Sequence, residues 1–91
     1  MKLKWSNAAV ADVARLHEFL AKVIPSAAAR AAQALTVAPR QLLERPKIGR
    51  QLDQYLPREV RRIIVGNYEL RYELVDATVY ILRVWHTREA R

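Results

Sequence analysis

Few side chains in this sequence can act as nucleophiles; those with the most chemical scope are cations and an imidazole. His17 and His86 are the only histidines, Ser6 and Ser26 the only serines, and cysteine is absent. A serine nucleophile needs a base within hydrogen-bond reach. Both serines instead stand at expected helix starts, where a short hydroxyl caps a free N–H. Zinc asks for cysteines or closely spaced histidines, so no metal site is expected, and nothing calls for a cofactor. Two glycines, Gly49 and Gly66, are too few for a phosphate-cradling glycine loop. Glu69 and Glu73 share one strand row with Arg71 between them, which reads as charge pairing rather than an acid–base couple. His17 falls at the edge of an apolar helical stripe, where a partly buried structural histidine is expected. His86 and Arg88 place an imidazole beside a guanidinium, either a pH-tunable acid–base unit or a polar strand end.

The cations say more. Lys and Arg number 16 against 9 Asp and Glu, a net charge of +7, which suits a polyanion or an acidic protein as partner. Twelve of them are Arg, whose planar fork grips phosphate or carboxylate with two bonds. Seven cations and three acids lie between Arg40 and Arg62, forming either a solvated edge or a patch for an acidic partner. Tyr68 and Tyr72 fall on the apolar side of their strand, where core packing is expected over base stacking. Arg71 lies on the opposite side, free to act.

The elements that must position these residues are legible from periodicity. A chain of 91 residues is one domain over 1–91 with one modest core, without room for a separate cofactor domain. No disulfide framework is possible, and the N-terminus holds no signal-like run. With no apolar stretch of about 18 residues, a small cytoplasmic domain with no membrane association is expected. Met1, Leu3 and Trp5 alternate with Lys2 and Lys4, as in a short strand. Val10, Val13, Leu16, Leu20 and Val23 recur at helical steps, with Asp12, Arg15, Glu18 and Lys22 on the other side, predicting an amphipathic helix of about 16 residues. Pro25 suits the first position of a second, Ala-rich helix, so the two form an antiparallel hairpin. Pro39 predicts a break at 36–39, Arg40–Arg45 another turn or two, and Lys47–Pro57 a basic loop. Val60–Val65, the turn at Gly66-Asn67, the alternating Tyr68–Leu74, the turn at Asp76-Ala77 and the apolar Thr78–Trp85 predict a three-strand meander. A polar tail, His86–Arg91, follows. The fold class is therefore α+β: an N-terminal strand and an antiparallel helix hairpin packed on a C-terminal antiparallel meander.

This order of elements, with Trp5-Ser6-x-x-Ala9-x-x-Asp12, Gly49-Arg50, Gly66-Asn67-Tyr68-Glu69-Leu70-Arg71-Tyr72 and Ile81-Leu82-Arg83-Val84-Trp85-His86-Thr87-Arg88, resembles the RelE/ParE superfamily of bacterial type II toxins over nearly the whole chain. The resemblance implies a cytoplasmic growth-inhibiting toxin, of the kind found in plasmid-stabilising systems. It also implies a small acidic antitoxin of the ParD or RelB type that folds on binding, forms a hetero-oligomer with the toxin and makes any DNA contact itself. That antitoxin is expected against the groove between hairpin and sheet and against the apolar last strand, at Tyr80, Leu82, Arg83 and Trp85. RelE-like members cleave translated mRNA with clustered cations; ParE-like members block DNA gyrase. Ribonuclease members carry an Arg directly after the first Tyr of the Tyr-x-x-x-Tyr strand, and here that position is Glu69, whose charge would repel phosphate. Where they place two cations on the preceding strand, this chain has Val60 and Arg62. The resemblance thus favours the ParE-like branch with Arg62, Arg71, His86 and Arg88 as target-binding residues and no catalytic set. The alternative is a ribonuclease that uses the same four.

Overall fold

In the computed structural model, which describes residues 1–89, one sheet carries a helix hairpin on one face. The chain runs β1 (Lys2–Trp5), α1 (Asn7–Ala21), α2 (Pro25–Val37), a 3-10 segment (Ala38–Leu43), β2 (Arg50–Gln51), a short 3-10 turn (Asp53–Tyr55), β3 (Glu59–Val65), β4 (Tyr68–Val75) and β5 (Thr78–His86). The strands lie in the order β1-β5-β4-β3-β2. The meander is antiparallel as expected, and β1 joins it parallel to β5. The two-residue β2, inside the segment expected to be loop, pairs antiparallel with β3. Ala90 and Arg91, the end of the expected polar tail, lie outside the described residues.

Local chemistry explains the boundaries. The Ser6 hydroxyl accepts from the Ala9 N–H at 3.0 Å and so caps α1. Ile24 is extended before Pro25, which occupies the first turn of α2. At the two hairpin turns Gly66 has φ +60° and Asp76 φ 54°, left-handed conformations that a glycine takes freely and an aspartate tolerates.

The core lies between helices and sheet: Ala9, Leu16, Leu35, Leu42, Leu70, Tyr72, Val79, Ile81 and Val84 form one buried cluster. Leu70 and Tyr72 face the helices, as the alternation of β4 predicts, and Ile81 and Val84 join them through a register shift between these two residues. Three expectations about α1 fail. Val10 and Val23 are 56% and 70% exposed, while Asp12, expected on the polar side, is 4% exposed. The buried row is Ala9, Asp12 and Leu16, because small Ala9 permits close approach and Asp12 meets hydrogen-bond donors at the sheet edge. His17, expected partly buried, is exposed.

The loop before β2 is pinned from the core. The Tyr72 hydroxyl donates to the Pro46 carbonyl at 2.7 Å and accepts the Gly49 N–H at 2.9 Å. A Cβ on Gly49 would lie 2.5 Å from that hydroxyl and 2.7 Å from the Arg62 carbonyl oxygen. Gly49→Ala is therefore expected to cost about 1–3 kcal/mol, as overpacking does, visible as a lower urea midpoint; an unchanged midpoint would mean that this contact is not rigid.

Candidate functional site

The candidate residues occupy two places, one on each side of the sheet. On β4 the residues opposite in parity to Leu70 and Tyr72 are Glu69, Arg71 and Glu73, and this outer row is not the wet face expected. Glu69 is 1% exposed, held by Arg62 Nη1 at 3.1 Å and Arg71 Nε at 2.7 Å. Arg62 and Arg71 are cross-strand neighbours, so their guanidiniums converge on one carboxylate. Arg71 also donates to the Tyr55 hydroxyl at 2.9 Å, which draws the 53–55 turn over this face. Arg58 forks onto Glu73 at 3.0 and 2.9 Å and, through that hydrogen bond, holds the Glu73 carboxyl below its ordinary pKa.

β5 continues the outer face. Its apolar run has one side in the core (Val79, Ile81, Val84), while Tyr80 and Trp85 are half-buried. Cations cover them. Lys4 lies 5.9 Å from the Tyr80 ring centre, and Arg71 and Arg83 lie 4.7 and 5.1 Å from that of Trp85, distances at which a cation gains from the ring quadrupole. Leu82 is the extra residue of a bulge, since Arg71 pairs with Arg83 and Tyr72 with Ile81.

Asp12 closes the bulge. Its carboxylate accepts the Val84 N–H at 2.9 Å, Arg83 Nε at 2.8 Å and Arg83 Nη2 at 3.1 Å, with Arg15 at 3.5 Å. Burial raises its pKa, but the hydrogen bonds from Arg83 and Val84, the Arg83 charge and Arg15 outweigh it and hold the carboxyl below its ordinary value. Because the folded pKa is depressed, Asp12 stabilises the fold above the unfolded value of about 3.9, and this stability is lost as pH falls through the folded value. Between pH 5 and 2 the Asp12→Asn variant should therefore lose less stability than the parent; parallel acid-unfolding curves would contradict this.

On the helix side, a groove of about 1060 Å³ opens between the hairpin and the β3–β4 end of the sheet. Leu16, Phe19, Leu20, Ala31, Val65 and Tyr68 supply apolar lining, and Arg15, Arg30 and Arg88 supply charge. His86 lines it too, edge-on to Tyr68 with ring centres 5.5 Å apart. The His86 Nδ1 accepts the Arg88 N–H at 3.1 Å. Glu89 accepts from the His86 N–H and from Arg15, both at 3.1 Å.

The four target candidates thus divide: Arg62 and Arg71 lie together on the outer face, His86 and Arg88 at the groove. Of the four antitoxin candidates, Tyr80 and Trp85 lie on the outer face, Arg83 on Asp12, and Leu82 at the bulge. Sequence reading missed the roles of Tyr55 and Asp12. For Asp12 a signal existed, its place in Trp5-Ser6-x-x-Ala9-x-x-Asp12. The described residues hold no cluster of three or more His, Cys, Asp or Glu able to bind a metal ion, and no helix among them is long and apolar enough to cross a membrane.

Comparison with known proteins agrees with this architecture. A family model described as the ParE toxin of the type II toxin–antitoxin system parDE matches residues 3–91. Toxin RelE2 of Caulobacter vibrioides is 34% identical over 82 residues, covering 90% of each chain. Toxin RelE1 of the same organism is 37% identical over 82 residues, covering 88% of this chain and 86% of its own. A solved structure described as the chromosomal ParDE TA system from P. aeruginosa superimposes with a TM-score of 0.80 at 22% identity, over 94% of this chain and 95% of that one.

Proposed function

The chain belongs to the ParE toxin family of type II toxin–antitoxin systems, and from that premise we propose that it arrests growth by binding and blocking a protein target, DNA gyrase, in the cytoplasm. The supporting observation is the division of the chemistry. Glu69 engages the two guanidiniums that phosphate would need, and the one imidazole near the sheet lies on the groove side. An in-line cleavage by the 2′-hydroxyl asks for an acid–base group and free cations around one phosphate. The outer-face arginines have no imidazole beside them, and in the groove the His86 Nδ1 is occupied by the Arg88 N–H and Arg15 by Glu89. The repulsion of phosphate expected of Glu69 does not hold, because Arg62 and Arg71 pair with it. The carboxylate is buried and its two arginines leave the trio at +1, so it projects no negative field toward an approaching phosphate.

On this reading the outer face around Arg62, Arg71 and Trp85 engages the target. Arg83 and Trp85, expected against the antitoxin, are therefore assigned to the target instead, and His86 and Arg88, expected against the target, to the groove. The groove takes the cognate antitoxin, a small acidic protein whose segment orders on binding and whose apolar side chains meet Phe19, Ala31 and Tyr68. The Phe19→Asp variant should weaken antitoxin affinity at least about tenfold, roughly 1.4 kcal/mol, in a calorimetric titration while still arresting growth. Unchanged affinity would remove the groove from the antitoxin interface.

A second reading, mRNA cleavage, draws support from relatives named RelE and from the positive trio. Induced expression followed by primer extension on translated message separates the two. Growth arrest without new 5′ ends supports the protein target; new 5′ ends that depend on translation support the ribonuclease.

A further inference from the structure

Past Ile81 the free edge of β5 is finished by α1 and the residue that caps it rather than by a strand. β1 pairs only as far as Trp5 with Ile81. Beyond that point the Ser6 N–H donates to the Ile81 carbonyl at 2.9 Å, the Ser6 hydroxyl donates to the Leu82 carbonyl at 2.8 Å, and Asp12 accepts the Val84 N–H. Capping that N–H needs only one oxygen. Asp12 does more, placing both oxygens against the fork of Arg83. The Arg83 side chain is 44% exposed and the Asp12 side chain 6%. A half-exposed arginine without a fixed partner samples many rotamers, whereas a bidentate carboxylate sets its plane. Fixed in this way, Arg83 lies against Trp85, which also carries Arg71.

We propose that Asp12 is a positioning residue of the outer face: from α1 it fixes Arg83 on Trp85 and so holds Trp85 and Arg71 in the arrangement that engages the target. This rests on the outer face being the target surface. Asp12 touches no target itself and acts through Arg83.

The test compares Asp12→Asn, Arg83→Lys and their combination in the full chain, purified with its antitoxin and then freed of it. The Asn amide oxygen still accepts the Val84 N–H but cannot hold the fork. Lys at 83 keeps the charge and loses the fork. Each single variant should reduce growth inhibition at least about tenfold, and the pair should be no worse than either alone, as expected when one residue acts through the other. In a Trp5→Phe background, Trp85 emission should change alike in both single variants. Antitoxin affinity should hold. Asp12→Asn that folds, arrests growth fully and leaves Trp85 emission unchanged would overturn the proposal. So would losses that multiply in the combined variant, or an equal loss of antitoxin affinity, which would make Asp12 a residue of the fold alone. Should Asp12→Asn not fold, Arg83→Lys decides, and full toxicity there overturns the proposal. Absence of growth arrest by the parent chain would instead reject the toxin reading, and the emission measurement would still report on the Asp12–Arg83–Trp85 arrangement.

Discussion

Tyr72→Ala should nearly unfold this protein. The ring is fully buried, and truncating a buried aromatic residue costs about 3–5 kcal/mol. The Gly49 N–H and Pro46 carbonyl would also lose their shared hydroxyl partner, adding about 1–3 kcal/mol for the buried Gly49 N–H and less for the partly exposed carbonyl. Small domains hold about 5–15 kcal/mol in all. A midpoint lowered by at least roughly 15 °C is therefore expected, at about 4–8 °C per kcal/mol for a chain of this length. Tyr72→Phe keeps the ring and removes the hydroxyl, so it should give only the smaller part of the loss. A Tyr72→Ala protein that melts within two or three degrees of the parent would show that the face assignment of β4 is inverted.

Arg71→Ala carries the largest expected effect on toxicity. Arg71 joins Glu69, the Tyr55 hydroxyl and the Trp85 ring, so its loss dismantles the middle of the outer face. Removing one partner of a buried ion pair costs about 3–5 kcal/mol when the other is stranded. Arg62 remains on Glu69, which places the cost here below that range. Growth inhibition should fall about a hundredfold, roughly 2.8 kcal/mol. Lost stability alone could mimic this, so the informative comparison is Arg71→Ala combined with Glu69→Gln. Neutralising the carboxylate should restore much of the thermal midpoint without restoring toxicity. If the combined variant stops growth as the parent does, Arg71 served the fold and not the target.

How far the sequence could be read depended on how local the determining interactions are. Helix and strand patterns placed α1 and the meander, and Pro25 with the alanine run placed α2. Gly66 and Asp76 marked the turns, and the alternation through β4 put Leu70 and Tyr72 in the core. The resemblance then supplied the toxin class. What escaped were contacts between segments far apart in the chain. Asp12 looks like a solvated helix position until Arg83 and Val84, 71 and 72 residues away, bring it donors. Glu69 looks wet because alternation separates two faces without saying what covers the second; here Arg62, Arg71 and the turn at Tyr55 do. The strand at Arg50–Gln51 is too short to show a period at all. The apolar run of β5 calls for a covering partner, whereas the guanidiniums of Arg71 and Arg83 already lie over Trp85. The candidate site was therefore visible as a set of residue types and invisible as an arrangement: nothing in the spacing of Arg71 and His86 says that they lie on opposite sides of one sheet.

The proposed action of the toxin is to occupy a protein rather than to cut RNA. Its most direct test is supercoiling by purified DNA gyrase in the presence of antitoxin-free toxin at micromolar excess. Supercoiling should stop and added antitoxin should restore it, with Arg71→Ala far weaker than the parent. Undiminished supercoiling by gyrase, under conditions where the same preparation cleaves translated message, would contradict it.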